Sequence, residues 1–323
     1  MNSTRKVLLA LVVLVSLAGC DTENQPAEPI RIRVPMGYVA NVQFAPWYVA
    51  VERGYFADEG IEIEFDYSWE TNGVRLVGAG ELPFAVASGD QVLLARAQGL
   101  PVVTVANWWR RFPVAVITLE SSGISDVGDL AGRIVGIPET FGASYIGWRA
   151  LGNAVGIDDE DVQLEVIGYN QVAALVEGLV DAAVVYANNE PIQLKHKDYD
   201  VVTFAVADYA NLVSNGIITN EDTIRDNPEL IEAFIRAFVK GLSDTLADPD
   251  AAFEICRGYV EGLDANETVQ RAVLEATLQY WQGERLCWSD LETWEETATV
   301  TLRAGLLSAA VNAEECFSND YLP

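Results

Sequence analysis

The side chains best suited to chemistry in this chain are aromatic rings that lie beside carboxyl, amide and hydroxyl groups. The densest run follows a predicted strand, Ala182–Tyr186, and contains Tyr186, Asn188 and Glu190. A ring can stack on a flat ligand, and Asn and Glu can hydrogen-bond the polar edge of that ligand. Since Pro191 suits the first turn of a helix, Glu190 as a simple helix-end charge remains the alternative.

A second run ends the predicted strand Pro101–Trp109, where two tryptophans precede two arginines. Neighbouring side chains of a strand point to opposite faces. If the strand continues through both rings, only one of Trp108 and Trp109 can face a given cleft. We therefore expect one ring to be a ligand platform and the other to pack. Packing of both in a core is the alternative.

Two strand-to-helix turns offer further polar contacts. The turn after Ile134–Pro138 contributes small, hydroxyl and aromatic side chains, and it lacks the phosphate-loop pattern GxxxxGK[ST]. Free backbone N–H groups there could bind ligand oxygens, and a ring could stack on the ligand. The candidates in this turn are Thr140, Phe141, Ser144 and Tyr145.

The other turn follows the predicted strand Phe84–Ser88 and holds Ser88 and Asp90. In open α/β sheets, ligands bind at the carboxyl ends of strands. These two residues are therefore candidates for ligand contact. Capping of the next helix alone is the alternative.

These runs need a scaffold, and Gly37–Phe65 shows its first unit. Apolar and charged residues alternate in Ile30–Val34 and again in Ile61–Asp66, which predicts two half-buried strands. Gly54 and Gly60 end successive pieces of a helix between them. The unit is a βαβ crossover, so the strands should be parallel. The apolar side of the helix is formed by Trp47, Tyr48, Val49, Val51, Tyr55 and Phe56.

The run N-x-x-F-A-P-W-Y-V-A-x-x-x-G-Y-F-x-x-E-G-I-x-x-E starts at Asn41. It resembles the first unit of solute-binding proteins related to thiamin-pyrimidine-precursor synthases, which serve ABC importers of nitrogenous ring compounds and sulfonates. The resemblance continues to about Leu246 and implies an α/β, two-lobed type II periplasmic-binding-protein fold with a ligand cleft between the lobes. On this motif Asn41, Trp47 and Tyr48 are site candidates, and the resemblance favours ligand contact by Ser88, Asp90 and Glu190.

The resemblance also implies a ligand and partners. The expected role is capture of a small molecule for an ABC permease and its ATPase. Among the relatives, those that bind riboflavin and those that bind formylated aminopyrimidine thiamin precursors are the two alternatives, and the whole sequence looks most like the riboflavin-binding lipoproteins. Riboflavin would be a transported ligand, and no cofactor is expected. Sulfonates are less favoured, because arginine or a bare helix N-terminus would serve them better than rings.

The N-terminus predicts export. Arg5 and Lys6 precede the apolar run Val7–Leu17, which is too short to span a membrane and predicts a signal peptide over residues 1–19. The Leu-Ala-Gly-Cys ending resembles a bacterial lipobox, in which Cys20 is lipidated; an ordinary secretory peptide is the alternative. Residues 20–29 are polar and contain proline, which predicts a tether. The expected location is extracytoplasmic, at the cell membrane through the lipid.

Charge and cysteine content limit the function classes. The formal net charge is −28, and loss of residues 1–19 would leave 18 basic and 48 acidic side chains, a net −30. Such a surface repels nucleic acid, so we expect no nucleic-acid partner and a monomer. The three cysteines after Cys20 permit one disulfide with one thiol left over, and their spacing matches no metal site. They are Cys256, Cys287 and Cys316.

An enzyme of the precursor-synthase kind would need a consumable histidine, a pyridoxal-binding lysine and a cysteine-rich iron motif. The only histidine, His196, lies in the charged run Lys195–Asp198, which predicts a solvated surface, and no cysteine-rich cluster exists. We therefore expect no catalytic residues and no metal site.

The predicted division assigns residues 30–119 and 205–323 to a first lobe and residues 120–204 to a second. Two chain crossings would allow hinge closure on a ligand. From Asn227 onward the apolar period is helical, which predicts a helical C-terminal tail. Its tryptophans at 281, 288 and 294 are expected to pack on the first lobe, with contact of one of them to the cleft as the alternative.

Overall fold

The structure is a computed structural model that describes residues 28–323. The predicted signal peptide, the lipidation site at Cys20 and most of the predicted tether lie outside the described residues. Within the described range, no helix combines the length and the apolar character that crossing a bilayer requires.

The chain forms ten strands and twelve α-helices over residues 28–323. The strands are β1 Ile30–Gly37, β2 Ile61–Trp69, β3 Ala85–Ser88, β4 Val102–Ala106, β5 Val114–Leu119, β6 Ile134–Ile137, β7 Gln163–Val166, β8 Ala182–Tyr186, β9 Val201–Ala205 and β10 Asn215–Asn220. The helices are α1 Ala45–Glu52, α2 Tyr55–Asp58, α3 Glu70–Gly78, α4 Gly89–Ala97, α5 Gly142–Val155, α6 Gln171–Val176, α7 Glu190–His196, α8 Glu221–Asp226, α9 Pro228–Ala247, α10 Pro249–Cys256, α11 Glu267–Trp281 and α12 Leu291–Arg303.

The first lobe is built on two small sheets. β1 pairs with β2 in parallel, with Ile30 opposite Ile61, and α1 and α2 form the crossover between them. The predicted βαβ unit is therefore confirmed. Ile32 and Val34 point into the core while Arg31 and Arg33 are exposed, as the alternation predicts. The second sheet has the order β3-β10-β4, with β10 antiparallel to both neighbours.

The second lobe is built on one five-stranded sheet of order β7-β6-β8-β5-β9. We expected β5 in the first lobe, because residues 30–119 were assigned there. Instead β5 lies antiparallel between β8 and β9, with Val116 opposite both Val184 and Phe204. β5 is apolar and mostly buried in either arrangement, and only its pairing with distant strands decides which sheet it joins.

This pairing moves the first crossing between lobes to residues 107–113, whereas the second, at residues 206–214, follows the predicted boundary at 204/205. Residues 121–129, just after the predicted lobe boundary, form a surface segment of the second lobe with a short 3₁₀ helix, Val127–Leu130, capped by Asp126. The molecule is a two-lobed α/β protein, and both crossings pass beside the cleft between the lobes.

The C-terminal tail is helical, as predicted, and covers the first lobe. α9 packs along α1 closely enough that a Cβ on Gly241 would lie 2.3 Å from the carbonyl oxygen of Pro46. Trp281 and Trp294 are fully buried. The guanidinium of Arg285 lies over the half-buried ring of Trp288 at 3.5 Å from the ring centroid.

The three cysteines of the described range are free thiols, each buried in the first lobe. The single disulfide that an exported protein permits is therefore not formed among Cys256, Cys287 and Cys316. Cys256 and Cys287 belong to the core around α1 and α9, and Cys316 belongs to a separate core beneath α4 and α12. Burial raises the pKa of the Cys256 and Cys287 thiols to about 12, which keeps them protonated and unreactive.

Candidate ligand-binding site

A cavity of about 720 Å³, part of it open to solvent, lies in the cleft between the lobes. Concave spaces that combine aromatic side chains with a few polar groups are the usual places for small-molecule binding. The first lobe contributes Met36, Gly37, Tyr38, Gln43, Phe44, Glu70 and Val86 to the lining; the second contributes Pro138, Glu139, Ala143, Ser144, Tyr169, Gln171, Tyr186, Asn189 and Glu190; Trp108, Trp109 and Asn215 lie at the crossings.

Both tryptophans of the predicted pair line the cavity. The expectation that only one faces it was wrong, because β4 ends at Ala106 and strand alternation does not extend to Trp108 and Trp109. Each ring is almost fully buried, with 1% and 4% of its surface exposed. The Trp108 ring stacks on Phe44 at 6.0 Å, and the Trp109 ring meets the edge of Tyr186 at 5.6 Å. The two rings thus belong to the core and to the cavity wall at once.

The strand end at Tyr186 contributes two of its three candidates to the cavity. Tyr186 lines it, and its hydroxyl donates to Asn215 Oδ1 at 2.8 Å, across the second crossing. Glu190 also lines the cavity at the first turn of α7 and is only 6% exposed. Its carboxyl accepts from the backbone N–H of Tyr186 at 3.0 Å and from Asn189 Nδ2 at 2.9 Å. Burial raises the pKa of Glu190 to about 7.

Asn188, the third candidate there, faces away from the cavity and joins the lobes. Its Nδ2 donates to Gln43 Oε1 and to Thr277 Oγ1, both at 2.8 Å. Gln43 is itself held by Asn41, whose Oδ1 accepts from the backbone N–H and side-chain Nε2 of Gln43 at 3.0 and 3.2 Å. Neither Asn41 nor Asn188 lines the cavity; both position Gln43, which does.

Ser88 and Asp90 lie beneath the cavity wall rather than on it. Ser88 donates to Glu70 Oε1 from its hydroxyl, at 2.6 Å, and from its backbone N–H. It makes no side-chain cap to α4. Asp90 is buried and accepts from Gln91 Nε2 at 2.9 Å. Ser88 therefore supports Glu70, which does line the cavity, and neither Ser88 nor Asp90 is among the lining residues.

The turn at the start of α5 contributes one candidate, Ser144. Thr140 is exposed, and Phe141 packs its ring edge on Trp69 at 6.1 Å, outside the cavity lining. Tyr145 points away, because its hydroxyl donates to Asp159 Oδ2 at 2.8 Å. On a helix, residues one apart do not share a face, so Ser144 and Tyr145 could not both reach the cleft.

The aromatic residues of the N-terminal motif are core rather than cavity. Trp47 is fully buried against Phe238, with ring centroids 4.6 Å apart, and packs behind Trp108. Tyr48 stacks on Tyr259 at 4.3 Å, and its hydroxyl hydrogen-bonds that of Tyr67 at 3.0 Å. α1 is buried on nearly all sides by α9 and α10, so its rings support the tryptophan wall without touching the cavity.

The most distinctive feature of the cavity is its three carboxyl groups, Glu70, Glu139 and Glu190. No lysine, arginine or histidine is among the lining residues of the described range. Burial raises the pKa of Glu70 above its ordinary value, with a further rise from nearby Asp90, and burial raises that of Glu139 to about 7. Within residues 28–323, Glu139 Oε2 is buried without a hydrogen-bond partner. The cavity therefore offers acceptors to a ligand that donates hydrogen bonds, and it disfavours an anion.

Sequence reasoning missed most of the first-lobe lining and two of the three carboxyls. Glu70 follows a strand and Glu139 precedes the Thr140–Tyr145 turn, and in sequence each looks like an ordinary surface charge. Glu70 is buried between Ser88 of its own lobe and Gly142 of the other, and Glu139 is half-buried. Position at a strand's carboxyl end was the available signal for Glu139, the same signal that selected its neighbours.

Comparison with known proteins agrees with this architecture. The sequence model described as NMT1/THI5 like matches residues 41–252. Riboflavin-binding protein RibY of Chloroflexus aurantiacus is 37% identical over 347 aligned residues, covering 100% of this chain and 99% of that protein. The formylaminopyrimidine-binding protein of Halalkalibacterium halodurans is 30% identical over 329 aligned residues, covering 97% of this chain and 98% of that protein.

Solved structures extend the likeness to the fold. The periplasmic aliphatic sulphonate binding protein SsuA of Escherichia coli superposes with a TM-score of 0.73 at 14% sequence identity, over 89% of this chain and 97% of that one. At this identity the likeness concerns the fold alone. It confirms the expected two-lobed periplasmic-binding-protein fold, with the cavity in the cleft between lobes.

Proposed function

Because this chain belongs to the NMT1/THI5-like family, we propose that it is the substrate-binding component of an ABC importer and that its ligand is riboflavin. Family and fold support a solute-binding role. The full-length similarity to a riboflavin-binding protein supports the choice of ligand. The remaining proposals are delivery to a permease with its ATPase, export, and anchoring through a lipid on Cys20.

The observation that carries the proposal is the composition of the cavity wall. Trp108, Trp109 and Tyr186 form an aromatic wall, and Glu70, Glu139 and Glu190 supply acceptors. A flavin ring presents a large flat face for the aromatic wall and an imide N–H for a carboxylate. The absence of basic residues among the described lining residues disfavours sulfonates, which would need a cationic partner.

A formylated aminopyrimidine is the second candidate. The three carboxyls favour it, because an aminopyrimidine donates several N–H bonds from a small ring. The relative that binds formylaminopyrimidine is also similar over nearly the whole chain. A binding role without catalysis fits either ligand. The single histidine, His196, is exposed at the end of α7 and is not among the residues that line the cavity.

The test is a titration of the full-length chain, unfolded and refolded to remove any copurified ligand, with riboflavin. Quenching of flavin and tryptophan fluorescence should saturate near one equivalent with submicromolar affinity, about −8 kcal/mol or better. Saturation with formylaminopyrimidine and none with riboflavin would replace the first candidate by the second. Saturation with neither ligand, in a protein with native circular dichroism, would reject both.

A further inference from the structure

An open groove between α6 and α7 borders the cavity. Tyr38, Tyr169, Gln171 and Glu190 line both the cavity and the groove. They form the boundary between the two spaces. The rings of Tyr38 and Tyr169 meet edge to face at 4.7 Å, one from each lobe. A ligand that extends from the cavity into the groove would therefore pass beside this pair.

The groove differs in chemistry from the cavity. It contains no tryptophan or phenylalanine among its lining residues of the described range. Its outer part is formed by amide side chains, Asn170 and Gln193, and by small apolar residues of α6 such as Ala173. Gln193 Nε2 donates to Asn189 Oδ1 at 2.9 Å, which links the groove to the carboxyl network of Glu190. Amides both donate and accept, so they suit hydroxyl groups.

The charges of the groove exclude one class of extension. Its charged side chains are Glu177 and Lys197, exposed at the outer end, and Glu190 at the inner boundary. Two carboxyls and one ammonium give no net attraction for an anion. A phosphorylated chain would bring its charge towards these carboxyls, whereas an uncharged hydroxylated chain would not.

We propose that this groove is a second subsite, which holds an uncharged polyhydroxylated chain attached to the ring bound in the cavity. The inference rests on the proposed function and deepens it. The ring binds between the aromatic wall and the carboxyls, and the chain leaves past Tyr38 and Tyr169 to the amides of α6 and α7. Riboflavin has this form, with a flat ring and a ribityl chain. A formylated aminopyrimidine has no such chain.

The test compares riboflavin with lumiflavin, which has the same ring system and a methyl group in place of the chain. The variant is Ala173→Trp, which fills the groove from an exposed position on α6. The matched control is Ala57→Trp, at an exposed position on α2 outside the cavity and the groove. The parent should bind riboflavin more tightly than lumiflavin. Ala173→Trp should weaken riboflavin by about tenfold or more, the equivalent of one or two neutral hydrogen bonds, and leave lumiflavin unchanged.

Each other outcome overturns the inference in a distinct way. Equal affinity of the parent for both flavins would mean that the chain makes no contact, while riboflavin capture itself would stand. Equal weakening of both flavins by Ala173→Trp would mean that α6 acts on the cavity and that the groove is not a separate subsite. Binding of neither flavin by the parent would reject the proposed function together with the subsite.

A second measurement tests the charge argument with flavin mononucleotide, whose chain ends in a phosphate. The parent should bind it at least about tenfold more weakly than riboflavin, since the one ammonium of the groove, Lys197, is offset by Glu177 and Glu190 and the net negative charge of the chain repels the phosphate. Equal or tighter binding of the phosphorylated flavin would overturn the assignment of an uncharged chain.

Discussion

The carboxyl group of Glu70, in the first lobe, lies directly against Gly142, the first residue of α5 in the second lobe. A Cβ on Gly142 would lie 2.8 Å from Glu70 Oε2. Gly142 also has a φ of +67°, which favours glycine. Because Gly142 has no side chain, the Glu70 carboxyl lies directly against the backbone of the other lobe. Glu70 also lines the cavity.

Gly142→Ala should therefore weaken ligand binding through the contact between lobes. The added methyl meets the Glu70 carboxyl and opposes closure, and we expect a loss of about tenfold in affinity, or ~1.4 kcal/mol. The positive φ adds a stability cost of about 1 kcal/mol. Gly80→Ala is the matched control, since its φ is +71° and nothing lies within 4 Å of the added atom. Both variants should lose similar stability in urea titrations. Equal affinity of the two variants would show that the Glu70 contact does not limit closure.

Glu190→Gln should change how stability depends on pH. Burial raises the pKa of Glu190 to about 7 in the folded protein, because burial favours the neutral carboxylic acid over the charged carboxylate. Its contribution to stability is full below the unfolded pKa of about 4.5 and is lost as the pH rises through about 7. Relative to the parent, the Gln variant should gain up to about 3 kcal/mol between pH 5 and pH 9, measured by urea denaturation without ligand. A difference between the two proteins that stays constant with pH would contradict the raised pKa.

Glu139→Leu should weaken binding without weakening the fold. Glu139 is half-buried beside the Tyr169 hydroxyl, and its Oε2 is buried without a hydrogen-bond partner within residues 28–323. Its replacement therefore removes an unsatisfied oxygen and at most one contact to that hydroxyl. A ligand N–H that pairs with this carboxyl would be left unsatisfied, at a cost of about 1–3 kcal/mol in affinity. Calorimetric titration measures the affinity, and thermal unfolding measures the stability. Glu165→Leu, at an exposed strand position outside the cavity, is the control and should bind like the parent.

Trp108→Ala should unfold the protein more easily as well as weaken binding. The ring is 1% exposed and contacts Trp47, Phe238 and Trp281, so its removal leaves a large cavity in the core. We expect a loss of about 3–5 kcal/mol in unfolding free energy. Trp108→Phe keeps an aromatic ring in the core. Its unfolding free energy and its ligand affinity, compared with those of Trp108→Ala, separate the loss of core packing from the loss of stacking on the ligand. A stability of Trp108→Ala equal to that of the parent in urea would contradict the structural role.

The parts of the fold that could be predicted from sequence are those set by local periodicity. The βαβ unit around Gly37–Phe65 follows from alternation and two glycines, and β8 matches its predicted bounds, Ala182–Tyr186. The sheet membership of β5 could not be predicted, because apolar strands pair equally well in many sheets and long-range contacts decide among them. The same limit placed the hinge after β5 rather than before it.

The site was predictable where a candidate's direction follows from its own element. Tyr186, Ser144 and Glu190 reach the cavity from the ends of strands or the first turns of helices. Trp47 and Tyr48 do not, because α9 and α10 cover the helix that carries them, and those helices lie about 200 residues later in the chain. Glu70 and Glu139 line the cavity because the fold brings Glu70 of the first lobe and Glu139 of the second to the same cleft. No local pattern in the sequence predicts that these two carboxyls meet in one cleft.

The hydrogen bonds from Asn188 to Gln43 and Thr277 affect the free energy of closing the two lobes on a solute. They join the second lobe to the first through protein atoms alone, so part of the free energy of closure is independent of the solute. If the closed state is more populated without solute, binding of the solute requires less free energy for closure, and dissociation of the solute is slower. Release of the solute then requires that the hydrogen bonds of Asn188 break as well as the contacts to the solute itself.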